Sequence, residues 1–388
     1  MKKLYETQSY LKELDTIITS CIPKENHFLV TLQETIFFPE EGGQYADTGW
    51  LEWEGQSIRL SDGQLRDGEV YYTIDQAIPT GAVVHGILDW KQRYMRMQQH
   101  TGEHILTGLI HNHYGYDNVG FHLSDDGPVT LDMNGTLTME QAMEMEILAN
   151  QVIYQNVPVV DSYPTKEELS DLTYRSKIEI EGQIRLITIG DMDTCACCAP
   201  HVARTGEVGL IKIISLQNYK GGIRISILCG MCALLHYREQ SALMNSLANA
   251  LSTKPELVPD IVNSQKEEII ALRYKLACQA EKALMQQIEA MPEQKHACLF
   301  AEADIPQNAV KNAFNAMTSR FPGYAGIFIG DDIGGYRYNA GSRTLDSREL
   351  GAKMREVLGA KGGGSREMIQ GKTTVSQESI TAFFRDIE

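Results

Sequence analysis

The sequence lacks any run of about eighteen uncharged apolar residues, the length at which a membrane-spanning helix becomes the expected interpretation. Its first residues, MKKLYETQSYLKELDT, turn acidic and polar where a secretory signal peptide would need an apolar stretch. These two absences predict a cytoplasmic protein with no membrane partner.

Cysteine is scarce, with eight residues in a chain of 388. Most of the cysteines are clustered and the rest stand alone, as Cys195, Cys197, Cys198, Cys229 and Cys232 against Cys21, Cys278 and Cys298. A long chain that starts without a signal peptide is expected to keep its thiols reduced. Metal binding or free thiols therefore explain the clusters better than a disulfide framework does.

Positive charge is also in short supply, because 35 Lys and Arg face 51 Asp and Glu and leave a formal net charge of -16. Such a chain repels polyanions at long range, so a nucleic acid would have to be bound through a local basic patch. The length and a hydrophobic fraction of 43% are sufficient for more than one folded core.

Hydrophobic patterning divides the sequence into four segments and predicts an α+β multidomain protein. Residues 1–90 contain short alternating apolar runs separated by Gly, Asp and Pro, which predict a small β-barrel or a sandwich. Residues 91–235 mix amphipathic helices with strands and predict an α+β domain. Residues 236–292 predict a helical arm, and residues 293–388 predict a small α/β domain.

A weak heptad stripe marks the predicted arm. Val262, Ile269, Leu276 and Ala283 repeat every seven residues, with Leu272 between them. Such a stripe is typical of helices that pair in coiled coils. A homodimer formed through the arm is one option that the stripe leaves open.

Two short motifs carry residues that suit a zinc ion. His100 and His104 are four apart, so a helix places both imidazoles on one face. Cys197 and His201 follow much later as C-x-x-x-H, at a turn between predicted strands. One thiolate and three imidazoles complete a tetrahedral set. The two motifs together predict one zinc per chain.

The first motif also fits a zinc metallopeptidase. His100-Thr101-Gly102-Glu103-His104 has the H-x-x-E-H pattern of the inverted zinc peptidases. An enzyme of that kind would use the glutamate as its base and a distal carboxylate as third ligand, whereas here the downstream groups are a thiol and an imidazole. The peptidase is therefore an alternative rather than the first hypothesis.

Several segments resemble the editing domain of alanyl-tRNA synthetases and its free-standing AlaX relatives. They are HTGEH, GFHLSDDGPVTLDM, IGDMDTCACCAPHVARTGEVGLIKI, KGGIRISILCG and the glycine motif FFPEEGGQYADTGW. GAKGGGSREMIQGK resembles the glycine-rich part of C-Ala, the tRNA-contacting domain of the synthetases. The order of segments is that of a long AlaX protein, so an N-terminal barrel is expected and no aminoacylation module.

The second motif departs from the family pattern. The usual sequence is C-G-G-T-H, but here Cys198, Ala199 and Pro200 occupy the middle, so the flexibility of two glycines is lost. The ligand spacing survives. Cys195 and Cys198 are rival thiolates, and the choice of Cys197 rests on the family register and the four-residue step to the histidine.

The resemblance implies hydrolysis of mischarged tRNA(Ala). A synthetase pocket for alanine cannot strongly reject serine, which only adds a hydroxyl, so a second, hydrolytic site is needed. The implied activity is deacylation of Ser-tRNA(Ala) by zinc-dependent hydrolysis of the aminoacyl ester, with Gly-tRNA(Ala) as a second candidate substrate. A tRNA-binding protein with a structural zinc and no turnover is a further alternative.

Five residues are candidates for the chemistry. Thr101 offers a hydroxyl to recognise serine, and Gly42, Gly43 and Gln44 offer a close backbone approach and an amide. Glu103 is either a general base or a solvated surface carboxylate. The two glycines could equally form a simple hairpin turn.

Three residues near the Cys-His motif could orient the metal ligands from behind. They are Asp193, Arg204 and Thr205. The same residues could equally belong to a turn and a strand end.

The last segment offers a basic, glycine-rich stretch for tRNA. Residues 341–372 contain seven basic against four acidic side chains. The candidate tRNA-binding residues there are Lys361, Gly362, Gly363, Gly364, Arg366 and Lys372. Glycines let phosphates approach backbone N–H groups. The alternative is a flexible surface loop with ordinary solvated charges.

Overall fold

The computed structural model describes residues 1–123, 125, 127–176 and 183–387. The chain divides into two compact units, Met1–Met244 and Asn245–Glu388. The α+β multidomain class is confirmed, while the four predicted domain ranges stay a prediction. Among the described residues, none of the helices combines the length and the apolar character that a bilayer crossing requires.

A closed barrel opens the first unit. The elements as far as the end of the barrel are β1 (Lys2–Lys3), α1 (Leu4–Thr7), β2 (Glu13–Lys24), β3 (His27–Leu32), β4 (Glu34–Thr35), β5 (Gly49–Trp53), β6 (Gln56–Arg66), β7 (Glu69–Ile74) and β8 (Val83–Leu88). Six of these strands close in the order β2-β3-β7-β6-β5-β8. The barrel is confirmed and the sandwich is wrong, because closure leaves none of the six strands at a free edge.

Alternation of side chains accounts for the barrel core. Along β7, Val70, Tyr72 and Ile74 are buried while the residues between them are at least partly exposed. A strand turns successive side chains to opposite faces, so every second residue lies inside. Leu51 and Leu60 from neighbouring strands belong to the same buried cluster.

A long central helix follows the barrel and is packed against two sheets. The remaining elements of the first unit are α2 (Trp90–Tyr114), β9 (Asn118–His122), β10 (Val129–Met133), α3 (Met139–Gln155), β11 (Val159–Ser162), α4 (Lys166–Asp171), β12 (Leu186–Ile189), β13 (Asp193–Ala196), a 3₁₀ helix (Thr205–Val208), β14 (Ile211–Tyr219) and β15 (Gly222–Cys229). The sheets have the orders β14-β15-β10-β9 and β11-β12-β13.

Local sequence signals set the ends of both main helices. The side chain of Asp89 accepts from the backbone of Gln92 to start α2, and Gly115 ends it in the left-handed conformation. Thr138 and Gln141 form the predicted capping box at the start of α3. The predicted β9–β10 hairpin is present, and residues 124 and 126 of its turn lie outside the described residues.

Helix α2 is buried along its middle. Every residue from 99 to 110 is buried, including the polar ones, because the barrel lies on one side and the two sheets on the others. A helix that is buried all round is a core element. It therefore carries the predicted zinc ligands of HTGEH into the interior of the first unit.

The second unit is built on a five-stranded sheet. Its elements, starting with the helix that crosses from the first unit, are α5 (Gly230–Ala250), a 3₁₀ helix (Pro255–Leu257), α6 (Val258–Ala290), β16 (Ala297–Ala301), α7 (Gln307–Arg320), β17 (Ala325–Asp331), β18 (Gly335–Gly341), α8 (Ser347–Leu358), β19 (Lys361–Gly364), β20 (Met368–Thr373) and α9 (Gln377–Asp386). The sheet order is β16-β17-β18-β20-β19.

The predicted helical arm corresponds to α5 and α6. Its first helix begins at Gly230, before the predicted start at residue 236. On α6, the residues from Val262 to Leu276 are all exposed, including the heptad positions. The homodimer through this stripe stays a prediction.

Candidate metal centre

The four predicted zinc ligands converge in the first unit. His100 and His104 come from α2, and Cys197 and His201 come from the loop after β13. Their ligand atoms all lie within 4.8 Å of one another. Cys197 Sγ is 3.7 Å from His100 Nε2 and 3.3 Å from His201 Nε2. A tetrahedral zinc with bonds of about 2.0–2.3 Å holds its ligand atoms roughly 3.3–3.8 Å apart. The set therefore fits a zinc ion.

Each histidine is held by a hydrogen bond at its outer ring nitrogen. The Nδ1 atoms of His100, His104 and His201 contact Gln44 Oε1 at 2.9 Å, Asp193 Oδ2 at 3.0 Å and Thr101 Oγ1 at 3.0 Å, respectively. This leaves the three Nε2 atoms to face the centre. Bonds of this kind fix the ring orientation and tautomer of metal-binding histidines. The donor set is thus preorganised for a cation.

The electrostatics of the centre favour a thiolate. Burial alone would raise the pKa of Cys197, but His100 and His201 hold it well below its usual range. Burial lowers the pKa of His201 to about 3, so that imidazole is neutral. Burial alone would also lower the pKa of His104. The nearby Glu103, Cys195 and Asp193 outweigh burial and raise this pKa well above its usual value.

Glu103 lies inside the centre rather than on the surface. It is 1% exposed, so the solvated alternative is wrong. One carboxylate oxygen, Oε2, is 3.7 Å from His104 Nε2 and 4.0 Å from His100 Nε2. The other, Oε1, accepts hydrogen bonds from Asn118 and Thr107. The carboxylate is therefore fixed beside two of the candidate ligand nitrogens.

The two glycines of the glycine motif form a tight turn, and the backbone of Gly43 also lies close to that of Phe121. Gly42 and Gly43 have φ of 61° and 85°, and the backbones of Glu41 and Gln44 exchange two hydrogen bonds of 3.1 Å across them. This is the geometry of a two-residue hairpin turn with both central residues left-handed. A Cβ on Gly43 would lie 2.6 Å from the carbonyl oxygen of Phe121. The turn places the Gln44 side chain in contact with His100, one of the four candidate ligands.

The side-chain amide of Gln44 has an N–H group that makes no hydrogen bond to the described residues. It is fully buried, and its oxygen is used by His100. Its Nε2 has no hydrogen-bond partner within the described part of the chain. A buried amide N–H without an acceptor is costly, which makes this group a candidate for binding an oxygen of the substrate.

A buried ion pair that the sequence analysis missed holds the glycine motif. Arg93 Nε donates to Asp47 Oδ2 at 2.9 Å, and the same oxygen accepts from the backbone of Phe38 at 2.7 Å. A further bond runs from Arg93 to the carbonyl of Ile36. Asp47 is the aspartate of the glycine motif FFPEEGGQYADTGW, so the motif itself was the signal that could have found it.

A second missed residue supports His104 through Asp193. Arg175 donates to both oxygens of Asp193 at 2.8 and 2.9 Å, and to Thr107 Oγ1 at 3.0 Å. Burial raises the pKa of Asp193, but the bonds from His104 and Arg175 bring it below the usual value. The carboxylate therefore stays ionised. No motif surrounds Arg175 in the sequence, so nothing there pointed to it.

The two rival thiols are placed differently from Cys197. Cys198 packs against the Tyr5, Phe38 and Ala199 cluster as Cys197 does, but it is outside the group of the three histidines, and burial raises its pKa. Cys195 groups with His104 and Asp193 rather than with the three histidines. The structure thus brings Cys197 to the histidine set.

Two of the three candidate orienting residues lie elsewhere. Thr205 Oγ1 donates to Val152 O at 2.8 Å and accepts from Val157 N at 2.8 Å. Arg204 donates to the carbonyl of Asn156. These bonds tie the Thr205–Val208 3₁₀ helix to the end of α3. Of the three candidates, Asp193 is the one that the structure places against a ligand.

The glycine-rich tail segment forms a strand and not an irregular loop. All four residues of β19 are exposed at the sheet edge, and Lys361 pairs with Lys372 on β20. Cβ atoms on Gly362 and Gly364 would lie 2.2 Å from carbonyl oxygens of β20, whereas one on Gly363 would meet open space. Arg366 is exposed in the connecting turn, where its carbonyl accepts from Ser347 N.

Sequence comparisons identify a protein family and several proteins that are similar to this chain. The family described as "Threonyl and Alanyl tRNA synthetase second additional domain" matches residues 184–226, which include Asp193, Cys197 and His201. The alanyl-tRNA editing protein AlaX-L of Pyrococcus horikoshii is 27% identical over 98% of this chain and 96% of its own length. The chain is therefore similar to AlaX-L along nearly the whole length of both proteins. The predicted resemblance is therefore confirmed.

Alanine–tRNA ligases are similar over the same region. Those of Ignicoccus hospitalis and Pyrococcus furiosus are 27% and 28% identical over 94% and 96% of this chain. The chain spans 40% and 42% of their lengths. The chain is thus similar to AlaX-L over nearly all of its length and to less than half of each ligase.

Proposed function

We propose that the protein is a trans-editing hydrolase that deacylates Ser-tRNA(Ala), with one zinc ion as its cofactor. The observation that carries the proposal is the convergence of three imidazoles, a thiolate and the buried Glu103 carboxylate in a chain similar to AlaX-L along its length. Gly-tRNA(Ala) is a further candidate substrate, because glycine also fits a pocket made for a small amino acid.

The side chains around the centre divide the chemistry of ester hydrolysis. Glu103 takes the proton from the attacking water, because its carboxylate is fixed beside two ligand nitrogens. The open Nε2 donor of Gln44 stabilises the developing oxyanion. Zinc, when bound by His100, His104, Cys197 and His201, supplies positive charge next to the ester.

Specificity for serine requires a group that recognises its hydroxyl. Thr101 is fully buried, and its hydroxyl contacts His201 Nδ1 at 3.0 Å and Val202 N at 3.3 Å. These contacts support a role in orienting His201, through which Thr101 would act on the substrate. Recognition of the serine hydroxyl by Thr101 stays a prediction, and Gly42 and Gly43 remain the candidates for close backbone approach.

Serine should be released from tRNA(Ala) much faster than alanine. A site that hydrogen-bonds a hydroxyl penalises a substrate that lacks it, because its own polar groups are left unpaired. The measurement is deacylation of Ser-tRNA(Ala) and Ala-tRNA(Ala) by the purified protein, before and after chelation and after zinc is restored. Equal rates for the two substrates would remove the editing function. Binding of tRNA without release of either amino acid would favour the alternative of a non-catalytic tRNA-binding protein.

We further propose that β19 and β20 bind the tRNA backbone. The exposed edge of β19, with Lys361 and Lys372 paired across the two strands, offers backbone N–H groups between positive charges. Arg366 in the connecting turn adds a third charge. This local patch is what an acidic chain needs to hold a polyanion.

Replacing both strand lysines should weaken tRNA binding in a salt-dependent way. For Lys361→Gln/Lys372→Gln, the slope of log affinity against log salt concentration should fall by about two, since each phosphate contact contributes about one. The matched control is Lys254→Gln/Lys282→Gln, which removes the same charge from exposed positions of the second unit. The same affinity and slope in both double variants would show that the strands do not contact the tRNA.

A further inference from the structure

A cleft with a volume of ≈ 450 Å³ adjoins the metal centre. Its lining includes the segment of residues 7–11 and residues of β11 and β12. His201, Val202 and Ala203 also line it. His201 is also one of the four candidate zinc ligands, so the cleft and the metal centre share that side chain.

The lining of the cleft is fixed by hydrogen bonds. The Tyr10 hydroxyl donates to Glu207 at 2.6 Å and accepts from Ala203 N at 2.8 Å. Ser9 O accepts from Arg93 at 3.2 Å, and Val159 N donates to Ala203 O at 2.9 Å. The cleft is therefore already formed, as binding sites usually are.

A buried arginine is part of the lining of this cleft. Arg185 is 8% exposed, and its NH1 group donates to Cys197 O at 3.0 Å and Ala199 O at 2.8 Å. Its Nε is buried and has no hydrogen-bond partner among the residues that the structure describes. A guanidinium stays charged at any physiological pH. The guanidinium therefore puts a positive charge in the lining of the cleft, for which an anion is the complementary ligand.

We infer that the cleft binds the phosphodiester preceding the terminal nucleotide of the tRNA, with Arg185 as its donor. The inference rests on the proposed function. The ester to be cleaved sits on the terminal ribose, one sugar away from this phosphate, and the cleft lies one side chain away from the metal centre. An arginine fork matches the geometry of phosphate oxygens. Thr7 and Ser9 add polar groups to the lining.

One acidic residue in the lining of the cleft would repel a bound phosphate, and removing its charge provides the first test. Asp161 is exposed in the cleft, and Asp161→Asn removes its negative charge without touching the loop of Cys197. The variant should bind an uncharged tRNA(Ala) acceptor minihelix ending in CCA about two- to fivefold more tightly. Glu69→Gln, the same charge change on the exposed barrel surface, should leave binding as it is. Unchanged affinity for the minihelix in Asp161→Asn overturns the inference.

Arg185→Gln provides the second test, with substrates that differ in the phosphate. It should lower kcat/KM for the seryl-minihelix about tenfold or more, since a charge-assisted contact is lost. Seryl-adenosine, which carries the ester without any phosphate, should be affected much less, so that the ratio of kcat/KM for the seryl-minihelix to that for seryl-adenosine falls about tenfold. A parallel fall for both substrates, at full zinc content, would assign Arg185 to positioning Cys197 alone and overturn the inference.

The experiment separates this inference from the proposed function. If the unmodified protein releases serine from neither substrate, the editing function fails, while minihelix binding by Asp161→Asn still decides the cleft. If Arg185→Gln loses zinc, the Asp161→Asn result decides as well. Competition by inorganic phosphate tests whether the cleft binds the phosphodiester of the RNA or free phosphate. Competition with the minihelix only at high phosphate concentration supports a site built for the RNA, whereas tight phosphate binding with no effect on the minihelix overturns it.

Discussion

Cys197→Ala is expected to reduce bound zinc from one per chain to almost none, whereas Cys198→Ala keeps it. Cys197 Sγ lies 3.3 and 3.7 Å from two of the histidine Nε2 atoms, and its pKa is held low by those histidines. Cys198 shares with Cys197 the packing against Tyr5 and Phe38, but it is not in the group formed with the three histidines, and burial raises its pKa. A thiol must be deprotonated to bind zinc, so adjacent cysteines should behave in opposite ways.

The measurement is metal content of the purified variants after dialysis, together with thermal unfolding. His104→Ala should lose zinc as Cys197→Ala does, because it removes another member of the same four-atom set. Variants that lose zinc should also unfold at a lower temperature, since an ion that binds the folded state stabilises it. Full retention of zinc in both Cys197→Ala and His104→Ala would contradict the site.

Glu103→Gln is expected to slow release of serine by about 10²–10⁴-fold while zinc stays bound, because that is the usual contribution of a general base. The substitution preserves the size of the side chain and an oxygen that can accept from Asn118 and Thr107. What it removes is the charge of the oxygen nearest the ligand nitrogens. The effect should therefore fall on the chemical step and leave the fold intact.

Single-turnover deacylation of Ser-tRNA(Ala), with metal content measured on the same samples, checks this result. Glu140→Gln is the matched control, since Glu140 is exposed on the first turn of α3. A rate for Glu103→Gln within about threefold of the unmodified protein would exclude the base role. Peptide cleavage by the unmodified protein that Glu103→Gln abolishes, with no release of serine, would instead support the metallopeptidase alternative.

Local spacing made the ligand set predictable. His100 and His104 share a helix face whatever surrounds the helix, and Cys197 and His201 keep a four-residue step within one loop. The capping box of Thr138 was predictable for the same reason, because its partner is three residues away. Contacts of this kind depend on the backbone of one short segment.

Long-range contacts could not be read in the same way. Gln44 meets His100 across 56 positions, and Arg175 reaches Thr107 across 68. Neither pair has a spacing that a helix or strand would repeat. The sequence showed that Glu103 adjoins the histidines, but burial of its carboxylate depends on how the barrel and both sheets surround α2.

The sequence by itself indicated the main helices and strands, the four candidate ligands and the resemblance to the AlaX proteins, because helix periodicity, strand alternation and motif spacing are local properties. Only the tertiary structure decided which of three cysteines joins the three histidines, that Arg204 and Thr205 contact the end of α3, and that Arg185 lines a cleft beside His201. Those outcomes depend on close packing between segments far apart in the chain, which satisfies some buried polar groups and leaves others without a partner.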